Sequence, residues 1–148
     1  LCRSLRCLVK SGADVKQANQ SGWAPASAAA FNGHVDALRF LHENRADLNR
    51  ADEDGWTPLL VASQNGQGAC ARLMLEQGAA VNQAKHDGAT PLIMASQNGH
   101  TDAVRLLLGH GANADKAALR AGKLEETERR NRVSGQRLDT RDRRAEVD

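Results

Sequence analysis

The sequence contains few aromatic residues. Tyrosine is absent, and two tryptophans and two phenylalanines make up 3% of the 148 residues. Aromatic side chains supply much of the buried area in a compact globular core, so a globule of this size would normally use more of them. A thin structure built on alanine and leucine has no such need, and the composition favours that kind of architecture.

Cysteine is also scarce. The three cysteines are Cys2, Cys7 and Cys70, an odd number. Cys7 and Cys70 stand at positions where other segments of the chain carry apolar residues, so we expect both to be small buried core residues rather than disulfide or metal sites. Unpaired cysteines are typical of a reducing compartment, and we predict an intracellular protein, cytoplasmic or nuclear.

Long apolar runs and a strong net charge are missing as well. No apolar stretch approaches the roughly 20 residues that span a bilayer, and no secretory signal is visible, so we expect no membrane partner. Twenty lysine and arginine residues against eighteen aspartate and glutamate residues leave a net charge of +2. That balance argues neither for nor against an acidic partner.

The chain does contain a repeat with a period of 33 residues. Residues 54–66 read DGWTPLLVASQNG, and residues 87–99 read DGATPLIMASQNG. A weaker copy, SGWAPASAAAFNG, occupies residues 21–33. Self-similarity at this period is typical of stacked architectures, in which each unit buries its apolar face against its neighbours.

Each unit is predicted to be a turn, a short helix, a second turn and a longer helix. Asp54 and Gly55 mark a tight turn, Thr57 can cap a helix through its hydroxyl, and Pro58 suits the first helical position. Gly78 is placed to end the longer helix. The register predicts helix pairs at 25–32 and 35–43, 58–65 and 68–76, and 91–98 and 101–109.

The pattern formed by DEDGWTPLLVAS, NGH, AVRLLL and GANAD resembles the ankyrin repeat. The resemblance covers residues 1 to about 116 and implies an all-α ankyrin-repeat solenoid of stacked helix-turn-helix units joined by β-turn loops. Its register predicts the second half of a repeat at 1–19, a degenerate repeat at 20–51, and full repeats at 52–84 and 85–116. Beyond the repeats, composition predicts a capping helix at 117–133 and a disordered charged tail at 134–148.

Residues 20–51 should be the least stable repeat. Ala24 replaces the capping threonine, and loss of such a cap typically costs about 1 kcal/mol. Ala26 replaces the core leucine, which makes the apolar seam smaller. Arg45 stands where the following repeats have glycine, and a side chain there is strained if the backbone is left-handed.

The resemblance also draws attention to the position after the core leucine. Family members usually have a histidine there, which bonds to neighbouring backbone. This sequence has Ser27, Leu60 and Ile93 instead. We therefore expect apolar packing to replace that polar connection between repeats.

The chain offers no set of residues with the spacing of a catalytic or metal site. His34 and His100 are equivalent positions two repeats apart, too distant to share a metal ion. Asp52, Glu53 and Asp54 are most simply a solvated acidic turn. We predict no enzymatic activity, no catalytic residue, no metal, no cofactor and no small-molecule substrate.

The resemblance implies a binding surface instead. In ankyrin repeats, the turn tips and the exposed side of the first helix line a concave face that contacts partners. Carried over by register, the predicted partner-binding residues are Trp23, Glu53, Asp54, Trp56, Gln64, Asn65, His86, Asp87, Gln97 and Asn98. Both tryptophans share one register position, where the next repeat has Ala89. Each is either an aromatic anchor for a partner or packs over its own turn.

These features predict a non-catalytic protein–protein interaction module whose partner is another protein, of unknown identity. The alternative is a regulatory or interaction segment of a larger enzyme or channel, since ankyrin repeats often accompany such domains. Nucleic-acid binding through the arginine-rich tail is a distant third interpretation, because acidic residues are interleaved with its arginines.

Overall fold

The computed structural model describes Arg3, Cys7 and residues 10–115. Its helices form three successive pairs: α1 (Pro25–Asn32) with α2 (Val35–Glu43), α3 (Pro58–Gln64) with α4 (Gly68–Glu76), and α5 (Pro91–Gln97) with α6 (Thr101–Gly109). No strand occurs among the described residues, so the predicted all-α repeat solenoid is confirmed. The predicted capping helix, the predicted tail and the arginines considered for nucleic acid lie outside the described residues.

Each of the two regular first helices begins where the sequence predicts, and for the predicted reason. The Thr57 hydroxyl accepts a hydrogen bond from the Leu60 backbone N–H at 3.2 Å, and Thr90 does the same for Ile93 at 3.4 Å. A proline follows each threonine at the start of the helix, where its missing N–H costs no bond. Ala24 offers no side-chain cap to α1, so the degenerate repeat lacks this bond.

The helices form two layers. The first helices α1, α3 and α5 pack side by side, the second helices α2, α4 and α6 pack side by side, and each first helix contacts its own second helix. All six belong to the first of two units into which the chain separates, Leu1–Asn113 and Ala114–Asp148. None of the helices in the described ranges has the length and apolar character needed to cross a bilayer.

The core between these helices is continuous but uneven. Its fully buried side chains include Leu38, Leu60, Met74 and Leu107. In the degenerate repeat, Ala26 is 1% exposed and stands where the next repeat has Leu59. A pocket of about 330 Å³ is lined by Ala26 together with Ala24 and Ala46. Space for a larger side chain therefore lies beside Ala26, in a pocket that the exposed residues Lys16, Asp47 and Arg50 also line.

Polar contacts also join successive repeats. The Gln67 side chain donates from Nε2 to the Phe31 carbonyl at 3.3 Å, and His100 Nε2 lies 2.8 Å from the Gln64 carbonyl oxygen. Gln67 and His100 share one register position, just before the second helix of their repeats. Apolar packing is therefore not the whole connection between repeats: the position of Ser27, Leu60 and Ile93 offers no histidine, but Gln67 and His100 reach back to the preceding repeat from another register position.

The two described cysteines differ in burial. Cys70 is buried, and burial raises the pKa of its thiol, which keeps the thiol protonated and unreactive. Cys7 is exposed, so its predicted burial is wrong. The residues at the same register position in the later repeats are more buried than Cys7. Phe40 and Leu106 are half-buried, and Leu73 is buried because its helix α4 packs between α2 and α6.

Arg45 carries the backbone strain that the sequence predicts. Its φ is 63°, and the equivalent residues Gly12, Gly78 and Gly111 have φ of 92°, 84° and 87°. Arg45 is the one non-glycine residue with positive φ in the described part of the chain. A left-handed backbone costs an L-residue roughly 1–2 kcal/mol.

We expect Arg45→Gly to raise the free energy of unfolding by about 0.5–1 kcal/mol, because removal of the strain outweighs the entropy that glycine loses on folding. Urea unfolding followed by circular dichroism measures the change. Arg45→Ala is the matched control: it keeps the strain and should give no comparable gain. An equal gain for both variants would mean that the arginine charge, and not the backbone, is responsible.

Candidate functional site

Side-chain oxygens hold the turns that precede α1 and α3. Asn19 Oδ1 accepts a hydrogen bond from the Trp23 N–H at 2.9 Å, and Asp52 Oδ1 accepts one from the Trp56 N–H at 2.8 Å. Each turn is closed again by backbone bonds, since the Asn19 N–H donates to the Trp23 carbonyl at 3.1 Å and Asp52 does the same to Trp56 at 3.0 Å. The two tryptophans therefore leave their turns from equivalent, well-fixed backbone positions.

The turn before α5 is built differently. Lys85 occupies the register position of Asn19 and Asp52, and a lysine side chain cannot accept a hydrogen bond. Asp87 takes over this task, with its Oδ1 2.9 Å from the Ala89 backbone nitrogen that donates to it. Asp87 Oδ2 also forms an ion pair with Lys85 Nζ at 2.7 Å. One aspartate thus serves both the turn and the lysine.

Lys85 covers one face of Trp56. Its Nζ lies 4.7 Å from the centroid of the indole ring, a cation–π contact worth about 0.5–1 kcal/mol where water has access. Trp56 is half-buried, and this contact comes from the next repeat rather than from the turn of Trp56 itself. The sequence interpretation missed Lys85. The available signal was the change from Asn19 and Asp52 to lysine at one register position.

Trp23 contacts an aromatic ring instead. The centroid of the Trp23 ring lies 6.4 Å from the centroid of the Phe31 ring, and the two ring planes meet at 71° in an edge-to-face arrangement. Phe31 is 53% exposed, and Trp23 is half-buried. In the described part of the chain, Leu108 on α6 is the other large apolar side chain with comparable exposure, at 45%. The turn before α1 and the end of α1 thus present a two-ring aromatic surface.

Backbone hydrogen bonds align the turn tips of successive repeats. The Glu53 N–H donates to the Ser21 carbonyl at 3.3 Å, and the His86 N–H donates to the Asp54 carbonyl at 3.2 Å. The side chains of Glu53, Asp54, His86 and Asp87 are exposed. These four predicted residues are therefore neighbours on one row of turns, next to the two tryptophans.

The predicted residues at the ends of α3 and α5 are placed less uniformly. Gln64 and Asn65 are half-buried, whereas Gln97 and Asn98 are exposed. The Gln64 carbonyl already accepts a bond from the next repeat, and the Asn98 amide donates to the Met94 carbonyl of its own helix at 2.8 Å. The Gln64 backbone carbonyl and the Asn98 side-chain amide therefore already form hydrogen bonds within the fold.

Within residues 10–115, Arg3 and Cys7, no group of three or more histidine, cysteine or acidic side chains could hold a metal ion. The same residues contain no buried side-chain nitrogen or oxygen without a hydrogen-bond partner. The site consists of two aromatic surfaces beside exposed carboxylates.

Comparison with known proteins adds a family assignment. The family model described as ankyrin repeats, in three copies, matches residues 2–85. The model described as ankyrin repeat matches residues 87–118. No curated protein matches the chain. The two family matches together include all six helices.

Proposed function

Because the chain belongs to the ankyrin repeat family, we propose that it binds a partner protein along its row of turn tips and first helices. Ankyrin repeats are generally non-catalytic protein-interaction modules. The partner-facing surface comprises Trp23 and Phe31, Trp56 with Lys85, and the exposed acids Glu53, Asp54 and Asp87.

The aromatic pair of Trp23 and Phe31 is the observation that carries this function. A half-exposed phenylalanine against an indole is apolar area that folding leaves in water. Exposed apolar area of this kind marks interaction sites, and aromatic residues contribute strongly to binding energy because they bury a large area with few rotatable bonds. The pair therefore supports an anchor at this end of the row.

Charge determines which partner suits the surface. The charge of Asp87 is balanced by its ion pair with Lys85, which leaves the exposed carboxylates of Glu53 and Asp54 beside the aromatic residues. A partner with apolar groups flanked by lysine or arginine would complement them, and such complementarity accelerates association and rejects acidic partners. Lys85 covers one face of Trp56, so a partner would meet an indole that already has a cation on one side.

We expect Trp23→Ala to weaken partner binding by about 2 kcal/mol or more, roughly thirtyfold. Phe31→Ala should weaken it similarly, because each ring supports the other. Trp56→Ala should have a smaller effect, since Lys85 already covers one of its faces. A partner captured by the parent chain and identified by mass spectrometry would be titrated against each purified variant.

Leu108→Ala is the matched control, because it removes an exposed apolar side chain from α6 rather than from the row of turns. It should bind the partner normally. The melting temperature of each variant, followed by circular dichroism, separates lost binding from lost folding. Normal binding by Trp23→Ala and Phe31→Ala would place the site elsewhere, and a large drop in melting temperature would identify the rings as structural.

A further inference from the structure

Three arginines form a row on the second-helix layer. Arg39 on α2, Arg72 on α4 and Arg105 on α6 share one register position, and all three are exposed. Because α2, α4 and α6 pack side by side and packed helices lie about 8–10 Å apart, the arginines follow one another at roughly that spacing. We call these residues the arginine row.

The arginine row borders a groove with an apolar floor. The groove has a volume of about 800 Å³, and its lining includes the three arginines together with Val35, Leu73 and Leu106. Val35 and Leu106 are half-buried, so apolar surface reaches the solvent between the charged groups. The groove crosses all three second helices and lies outside the row of turn tips described above.

The guanidinium groups are not engaged by acids of the described chain. Glu76 and Asp102 also line the groove, yet within the described chain neither forms an ion pair with an arginine of the row. Three arginines against two carboxylates leave the lining with a net positive charge. An arginine can bind a carboxylate through two parallel hydrogen bonds, so each group in the row retains that capacity.

We propose that this groove binds an acidic amphipathic helix of a second partner protein. On an α-helix, residues seven apart lie on one face and are about 10.5 Å apart, which approximates the spacing of the arginine row. Glutamates at that interval would meet successive arginines. Leucines three or four residues from each glutamate lie on the same face and would contact Val35, Leu73 and Leu106.

Nucleic acid fits the groove less well than a helix does. Its lining contains no aromatic side chain on which bases could stack. Glu76 and Asp102 would repel an unbroken series of phosphates, whereas a peptide can place neutral residues opposite them. An apolar floor likewise matches leucine side chains and not a phosphodiester backbone.

The probe is a fluorescein-labelled 18-residue peptide of alanine and glutamine, with glutamate at every seventh position and leucine on the same face. Fluorescence anisotropy with the whole chain should give a Kd of about 10–100 μM at low salt, weakening at 150 mM salt. The combined variant Arg39→Gln, Arg72→Gln, Arg105→Gln should bind about tenfold more weakly, an effect expected of three exposed ion pairs.

The matched control removes equal charge outside the groove, through Lys10→Gln, Arg45→Gln and Arg50→Gln. It should bind like the parent, as should Trp23→Ala, because the turn-tip surface is separate. Arg72→Gln alone tests the row if the triple variant unfolds by circular dichroism. Four outcomes would each overturn the proposal. The parent chain could fail to bind the peptide, or the charge control could lose as much affinity as the arginine variant. A peptide with scrambled glutamate spacing could bind equally well, or a single-stranded oligonucleotide could bind more tightly.

Discussion

Gly55→Ala should lower the free energy of unfolding by about 3 kcal/mol or more, because it combines a strained φ with a collision against backbone. Gly55 has φ of 86°, and an added Cβ would lie 2.9 Å from the His86 nitrogen and 3.0 Å from the Lys85 Cα. Both atoms belong to the next turn, which is itself hydrogen-bonded to the preceding one. The contact cannot be relieved by rotating a side chain.

Gly78→Ala separates the cost of the strained φ from the cost of the collision with backbone. Gly78 has φ of 84°, nearly the same as Gly55, but an added Cβ meets nothing within 4 Å. It should therefore cost only the left-handed backbone penalty of about 1–2 kcal/mol. Urea unfolding of both variants measures the difference. If the two losses are equal, the turns are not packed as closely as the structure indicates.

The second large effect is expected at Leu59, which is 1% exposed in the central repeat. Leu59→Ala should lower the free energy of unfolding by about 2–5 kcal/mol, through lost burial and the cavity that remains. It would give the central repeat the residue that the degenerate repeat already has at Ala26. Urea unfolding with a constant m-value would show that stability alone has changed.

Ala26→Leu is the reciprocal test. The pocket of about 330 Å³ beside Ala26 offers space for the added side chain, and we expect a gain of about 1 kcal/mol from the apolar area it buries. A loss of stability would show that the neighbouring loops cannot admit a leucine and that this repeat is packed around alanine.

The helices could be predicted from the sequence because their boundaries depend on local chemistry. Threonine followed by proline at 57–58 and 90–91 marks the starts, and Asn–Gly at 65–66 and 98–99 marks the ends. The predicted bounds agree with the structure within one residue. Agreement of local signals with a 33-residue period left few alternative arrangements of the helices.

The inter-repeat contacts could not be predicted in the same way. The bond from Gln67 to the Phe31 carbonyl depends on how far one repeat is rotated against the next, which no single segment encodes. The position of Lys85 over Trp56 has the same origin. Sequence register therefore indicated which side chains lie on the surface, whereas their neighbours across the repeat boundary required coordinates.

In the inter-repeat bonds made by the Gln67 and His100 side chains, the acceptors are backbone carbonyls, those of Phe31 and Gln64. A carbonyl is present whatever residue occupies the position, so each joint needs a suitable side chain, Gln67 or His100, on one side only. Duplicating, deleting or exchanging a whole 33-residue block would leave such a joint intact without a compensating change in the neighbouring block. At these two joints, the identity of the acceptor residue can therefore change without loss of the bond.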